Sequence, residues 1–389
     1  MNEASRRRFL EFCGAMGMGY VFAPLLAACE DAGAGATDAS ASADSTEGEG
    51  STGDAGPPAE EVVIIGAGVA GMTAAYALLQ LGVRVRVLEA APVLGGRIKV
   101  DDAFADFPLA LGAEWIETDL GIFTEILGGA EPSNAPETFP DPPDRKFYRS
   151  SWMDFFKTQV VPTVEPHIEL NREVVGIRYE GDPVVIDTSN APVVAERVVV
   201  AVPLSILKNA GIQFTPALPR SMQEAIDAIK IWGGFKAFFE FSSPFFGDAD
   251  AFDVPAGSGH KLYYDATWNQ DSPRHIYALF CVGEPSVDYT SRSGDELRDF
   301  ILAELDALYD GQATATYVDH VTQDWTNDPF ARGAYLADNT NWTDVVALSE
   351  VLDGRVFFAG SAFTDGEDWG SVHNAARSAL RVAGMVAER

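Results

Sequence analysis

Cysteine is scarce in this chain, with three in 389 residues. Cys13 and Cys29 fall in the first 29 residues, so Cys281 stands alone in the body. One thiol cannot close an intramolecular disulfide, which excludes a disulfide-stapled scaffold. Cys281 lies in the apolar run IYALFCVG (276–283), where a buried structural thiol is the plainer reading. Cations are also few: 27 Lys and Arg face 58 Asp and Glu, a formal net charge of −31. A nucleic-acid surface needs clustered Lys and Arg, so nucleic acid is excluded as a partner. Five His are scattered without metal-ligand spacing, and no Ser/His/Asp nucleophile motif occurs. What the chain does have is 47% apolar residues, enough to bury a substantial core in one large domain or two ordinary ones.

The first segment predicts export. Ser5-Arg6-Arg7-Arg8-Phe9-Leu10 resembles a twin-arginine signal, and residues 12–28 supply the moderately apolar, glycine-containing run that follows one. Leu26-Ala27-Ala28-Cys29 resembles a lipobox, whose cysteine is acylated and becomes the mature N-terminus. An uncleaved anchor is the alternative, since residues 9–28 are almost free of charge; their glycines and proline make a poor permanent helix. Residues 30–59 are small and acidic, a composition that cannot bury enough apolar area to fold. A flexible tether of about 30 residues reaches about 30 Å. The expected location is the periplasmic or cell-surface side, with a lipid on Cys29.

The stretch EEVVIIGAGVAGMTAAYALLQLGVRVRVLEAAPVLGGRI carries the first chemistry. Val62–Ile65 is an all-apolar run suited to a parallel strand covered on both faces. Gly66-x-Gly68-x-x-Gly71 follows, then an amphipathic helix to about Leu81 and a second strand, Val83–Leu88, ending at Glu89. In this context the glycine pattern is specific. Gly66 permits the tight turn, Gly68 lets backbone N–H groups approach a pyrophosphate, and Gly71 allows close helix–strand packing. The helix N-terminus favours phosphate, and Glu89 can accept hydrogen bonds from the adenosine ribose.

Gly95-Gly96-Arg97, placed after that acid, resembles the E-x5-G-G-R signature of the flavin amine oxidase family. The family includes monoamine and polyamine oxidases, L-amino-acid oxidases and histone lysine demethylases. Further segments resemble it in the same order: LGAEWI (111–116), the block 170–208, GGFKAFFEFSSPFF (233–246), DWTNDPFARGAY (324–335) and RVFFAGSAFTDGEDWGSVHNAARSALRVA (355–383). The resemblance implies FAD, held without a covalent bond, since the closing loop offers no cysteine. It implies oxidation of the C–H bond beside an amine nitrogen, with hydride passing to flavin N5, the imine hydrolysing, and O2 or another acceptor taking the electrons. Flavin is loaded where it is made, inside the cell, and the twin-arginine route carries folded proteins, so leader and fold agree.

The resemblance also assigns residues. Gly66, Ala67, Gly68, Ala70, Gly71, Glu89, Ala90, Gly96, Arg97, Glu114, Trp115, Val174, Gly360, Ser361, Ser371 and Val372 would hold the cofactor. Lys236 matches the lysine that holds a water against the flavin, although an ordinary strand lysine with its head in solvent is the alternative. Tyr335 matches one wall of an aromatic cage. The opposite wall departs from the family, with Ser371 where Tyr is usual, and Trp369 could replace it in part. Ser361 stands where the family has Glu. His373 suggests either a base or a helix-start residue. The stretch GGAEPSNAPETFPDPPDRKF (128–147) reads as loop, so the cap over the cofactor is short; it leaves the flavin open or calls for a partner protein to cover it.

The expected fold is α/β, with a Rossmann-like FAD-binding domain of the p-hydroxybenzoate hydroxylase type and an interleaved α+β, mixed-sheet substrate domain. The FAD-binding part takes residues 60–118, 168–210 and 345–389; the substrate part takes 119–167 and 211–344. Two alternatives remain: a desaturase or protoporphyrinogen-type oxidase acting on C–C bonds, and a flavin-bound module or complex subunit without turnover.

Overall fold

A computed structural model describes residues 61–141, 144–366 and 368–388. The leader with Cys29 and the acidic linker lie outside the described residues. Among the described residues no helix is long and apolar enough to cross a membrane.

The first layer is a parallel sheet built from β1 (Glu61–Ile65), β2 (Arg84–Leu88), β3 (Ile168–Glu169), β4 (Arg197–Val200) and β5 (Val356–Phe358), in the order β5-β4-β1-β2-β3. Side chains alternate across a strand, and here both faces are covered. Val62 and Ile64 join one apolar core, Val63 and Ile65 another. Over the first core lie α1 (Val69–Gln80) and α2 (Val372–Ala387), brought together by the small residues Ala74, Ala75, Ala376 and Ala379. The two elements read from the glycine motif therefore form within a residue or two of their expected bounds.

The second layer is a five-stranded sheet in the order Ala249–Ala251, Gly259–Asp265, His275–Gly283, Gly234–Phe241 and Tyr317–Asp324. Its pairings are all antiparallel. Mixed pairing occurs instead in a four-stranded sheet, where Gln213–Thr215 runs parallel to Val174–Arg178. In GFKAFFEF the odd positions Phe235, Ala237, Phe239 and Phe241 pack with the helix Gly294–Leu308. That alternation turns Lys236 and Phe238 to the opposite face. Cys281 packs in the same helix-covered core, where burial pushes its thiol pKa up, as suits a structural thiol.

The stretch 128–147 differs from its loop reading. Thr138–Asp141 and Asp144–Phe147 form a hairpin that pairs with Trp115–Ile116. Pro140 is tolerated because its strand is at the sheet edge, where the missing N–H breaks no ladder. The following helix, Trp152–Gln159, starts where the Ser151 hydroxyl accepts the Asp154 N–H at 3.1 Å. Its Trp152, Phe155 and Phe156 pack into the same core as Val62, α1 and α2. By packing, then, these helices belong to the first layer, although residues 119–167 were expected in the substrate part.

Candidate active site

A cavity of about 670 Å3 runs between the two layers, from the β1 turn to the Lys236 strand. At one end it is made by the glycine turn. Gly66 has φ +103, and a Cβ there would lie 2.8 Å from the Ala201 carbonyl oxygen. A Cβ on Gly71 would stand 1.8 Å from the Gly66 oxygen, whereas one on Gly68 would meet nothing within 4 Å. The three glycines thus have separate jobs: turn, close packing, and an open approach to the cavity. Ala67 and Gly71, expected to hold the cofactor, shape the turn from behind and do not line the cavity; every other residue assigned to the site does.

The Glu89 carboxylate accepts the Ala67 N–H at 2.6 Å and the Ala91 N–H at 2.8 Å. Burial raises its pKa against the pull of those bonds. Each oxygen keeps a lone pair for a further donor. Arg97 borders the cavity and donates to the Ala334 carbonyl and, at 3.3 Å, to the Ser361 hydroxyl. Burial pulls its guanidinium down to about 10, and among the described residues no carboxylate is one of its partners. Ser361, in place of the family's Glu, therefore serves as a neutral acceptor. A buried cation with neutral partners is costly unless an anion completes it. A pyrophosphate would do so here, and the open Gly68 backbone and the Glu89 carboxylate would suit the adjoining sugar and phosphates.

The other end is polar, aromatic and acidic. Lys236 is 2% exposed, which removes the reading of a strand lysine with its head in solvent. Its Nζ donates to Ala110 O at 2.8 Å, Gly112 O at 3.1 Å and Glu114 Oε2 at 2.6 Å. An ammonium has three N–H groups, and all three are taken. Tyr335 and Trp369 line the cavity, and a Cβ on Gly370 would touch the Tyr335 ring at 3.8 Å. Ser371 is the residue before α2; its N–H donates to Asn374 Oδ1 at 3.0 Å and its hydroxyl donates to Glu117. His373 is 6% exposed with Nε2 at 2.9 Å from Asp368 Oδ2, so it ties the closing loop to the helix start. That geometry favours the helix-start reading over a base.

Sequence reasoning missed Glu117, Asp338, Asp368 and Lys146. Glu117 stands two residues past Trp115, immediately after the quoted LGAEWI segment, and could have been found by extending it. Burial raises its pKa, opposed by the Ser371 hydroxyl and by His373. Lys146 gave no sign, because it lies in the stretch read as loop; it is 4% exposed and 2.9 Å from Glu114 Oε1.

These features define a two-layer flavoprotein fold with a dinucleotide-binding cradle at one end of a shared cavity. The chain belongs to the flavin containing amine oxidoreductase family, whose profile matches residues 161–387, while an NAD(P)-binding Rossmann-like domain profile matches residues 64–126. Its cofactor is FAD. Polyamine oxidase 2 of Arabidopsis thaliana is 27% identical over 208 residues, 53% of this chain and 41% of that protein. Lysine-specific histone demethylase 2 of Homo sapiens is 27% identical over 207 residues, 50% of this chain and 25% of that protein. The chain thus spans less than half the length of the curated relatives it matches. Among solved structures, putrescine oxidase bound to putrescine superposes with a TM-score of 0.65 at 18% identity, covering 85% of this chain and 100% of that one. Cyclohexylamine oxidase from Brevibacterium oxydans gives 0.69 at 17% identity, covering 85% and 99%. At such identities the superpositions establish the fold alone.

Two outcomes follow from this geometry. Arg97→Met removes a charge-assisted contact of about 1.5–3 kcal/mol, so FAD affinity should fall about 10- to 100-fold. Flavin content after dialysis against graded FAD measures this, and unchanged retention would show that Arg97 does not face the pyrophosphate. Asp144, on the hairpin, is raised by burial, Glu117 and Asp141 from 3.8 to about 7. The folded state then binds that proton more tightly than the unfolded chain, so its stability contribution falls as pH rises from about 4 to 7. Asp144→Asn should raise the melting temperature at about pH 8 and change it little at about pH 4; equal shifts at both would remove Asp144 as the source.

Proposed function

We propose that the chain oxidises the C–H bond beside an amine nitrogen in a substrate that carries a second cationic group, a diamine or polyamine. The observation that carries this reading is Glu117, a carboxyl enclosed at the cavity wall on the same side as Tyr335, Trp369 and Ser371. Asp338 and Asp368 line the same cavity and add negative potential. The polyamine oxidase among its relatives supports the substrate class.

Bound FAD supplies the two-electron oxidant for the C–H bond. The chain's own residues bind, orient and exclude water. The reacting amine is mostly ammonium near neutral pH. Apolar walls, including Phe280, Val282 and Leu336, favour its neutral form. Tyr335 has its phenol pKa raised by burial, so it stays neutral and offers a flat ring to the amine. Ionised Glu117 would hold the distal ammonium, and because burial favours its protonated form, substrate binding should be coupled to proton release. Cys281, the cysteine nearest in sequence to the Lys236 strand, lies in the helix-covered core away from the cavity wall, which supports non-covalent FAD.

The test is anaerobic bleaching of the visible flavin absorbance by a panel of amines. Diamines and polyamines should reduce the flavin faster than monoamines of equal length. Glu117→Gln should raise KM for a diamine about tenfold, the worth of one charged contact of about 1.4 kcal/mol, and leave monoamine kinetics unchanged. Reduction by a polyene or porphyrinogen with no response to any amine would overturn the reading.

The workplace proposed for this chemistry is outside the cytoplasm, on the strength of the Arg6-Arg7-Arg8 leader and Cys29. Full-length protein should partition with membranes, and Cys29→Ala should release folded, FAD-loaded protein into the soluble exported fraction. Retention of both forms in the cytoplasm would remove the export proposal and leave the chemistry standing.

A further inference from the structure

Glu114 occupies an unusual position for a carboxylate. It stands at the cavity wall between two lysines that are each almost fully enclosed. Lys236 Nζ is 2.6 Å from Oε2 and Lys146 Nζ is 2.9 Å from Oε1. The Tyr264 hydroxyl also donates to Oε2. Both ammonium groups lie over the Trp115 ring, Lys236 at 5.4 Å and Lys146 at 6.0 Å from its centroid. Asp141, which accepts the Trp115 indole N–H at 3.0 Å, faces Lys146 and completes the charge balance from the hairpin. Both lysines of this arrangement are buried, Lys146 at 4% and Lys236 at 2% exposed.

We propose that Glu114 is the positioning residue for Lys236: pinned by Lys146 and Tyr264, it keeps the Lys236 side chain charged and motionless, so that Lys236 serves the cavity as a fixed positive charge. The geometry supports this in two ways. First, the three N–H groups of Lys236 are spent on Ala110 O, Gly112 O and Glu114, so the ammonium has no donor left for a water. Second, the two backbone carbonyls belong to the segment that also forms the cavity wall at Gly112 and Ala113, so the charge and the wall move together.

The charges acting on Lys236 are Glu114, which favours its protonated form, and Lys146, which opposes it, while burial opposes it most. Burial also opposes ionisation of Glu114, but Lys146, Lys236 and the Tyr264 hydroxyl outweigh it and hold the carboxyl down at about 2. Removing Glu114 therefore leaves a buried amine with two neutral carbonyls as its remaining acceptors and no opposite charge to favour its proton. A fixed cation beside a flavin stabilises added electrons and tunes its potential. The proposal rests on FAD occupying the cavity and is independent of which substrate is oxidised.

The experiment is spectroelectrochemical titration of the FAD-loaded protein, with midpoint potential measured between about pH 6 and 9. The wild type should show no break attributable to Lys236, and Lys236→Met should shift the potential to more negative values throughout. Glu114→Gln should follow the wild type at the acid end and join Lys236→Met at the alkaline end, with a break between them. Glu114→Asp should restore the wild-type curve. Should Glu114→Gln fail to hold FAD, Tyr264→Phe loosens the same carboxylate without changing charge and should bring a weaker break in the same direction. Superposition of Glu114→Gln, or of Tyr264→Phe where that variant is used, on the wild type across the range would overturn the proposal. So would an unchanged potential in Lys236→Met. Because no substrate enters the measurement, failure here is distinct from failure of the amine reading.

Discussion

The Glu89 carboxylate, holding one backbone N–H from the first turn and one from its own loop, is the constraint on which the site depends. Its bond to Ala67 fixes the glycine turn against the end of β2. The turn is tight because Gly66 and Gly71 meet where no side chain fits. From that junction α1 leaves at the angle that lets α2 pack beside it, and the start of α2 carries Ser371 and Val372 to the cavity. Every later feature of the chamber is measured from this corner.

The second layer contributes charge where the first contributes a cradle. Among the described residues Arg97 faces the cavity with neutral partners, whereas Lys236 is paired with Glu114. The difference divides the cavity by physics. One end is electrostatically incomplete and calls for an anion; the other is already settled and presents an oriented field. Glu117, Asp338 and Asp368 then make the substrate side acidic, against a chain whose net charge is −31.

Much of this was legible because backbone chemistry leaves marks in sequence. The spacing of Gly66, Gly68 and Gly71, and Glu89 at the end of β2, report steric and hydrogen-bonding needs that few residues can meet. Lys236 was singled out by its resemblance to the family's lysine, and the alternation along GFKAFFEF is the structural reason that it faces away from the helix. Side-chain pairing across distant segments left no such mark. Lys146 and Glu114 are brought together by a hairpin whose prolines read as loop, and only the edge position of its Pro140 strand reconciles the two. Likewise Trp152, Phe155 and Phe156 form an apolar helix face that fits either layer, and the choice between layers is made by the surface α1 and α2 leave uncovered.

The parallel sheet takes β5 from residues 356–358, next to β4 from 197–200 and β1 from 61–65. The wall formed by Gly360, Ser361 and Ser371 follows directly. A ribosome-bound chain that has not yet released that stretch lacks one side of the chamber, whatever else has folded. The coenzyme cradle is therefore complete only once the closing strand has joined the sheet.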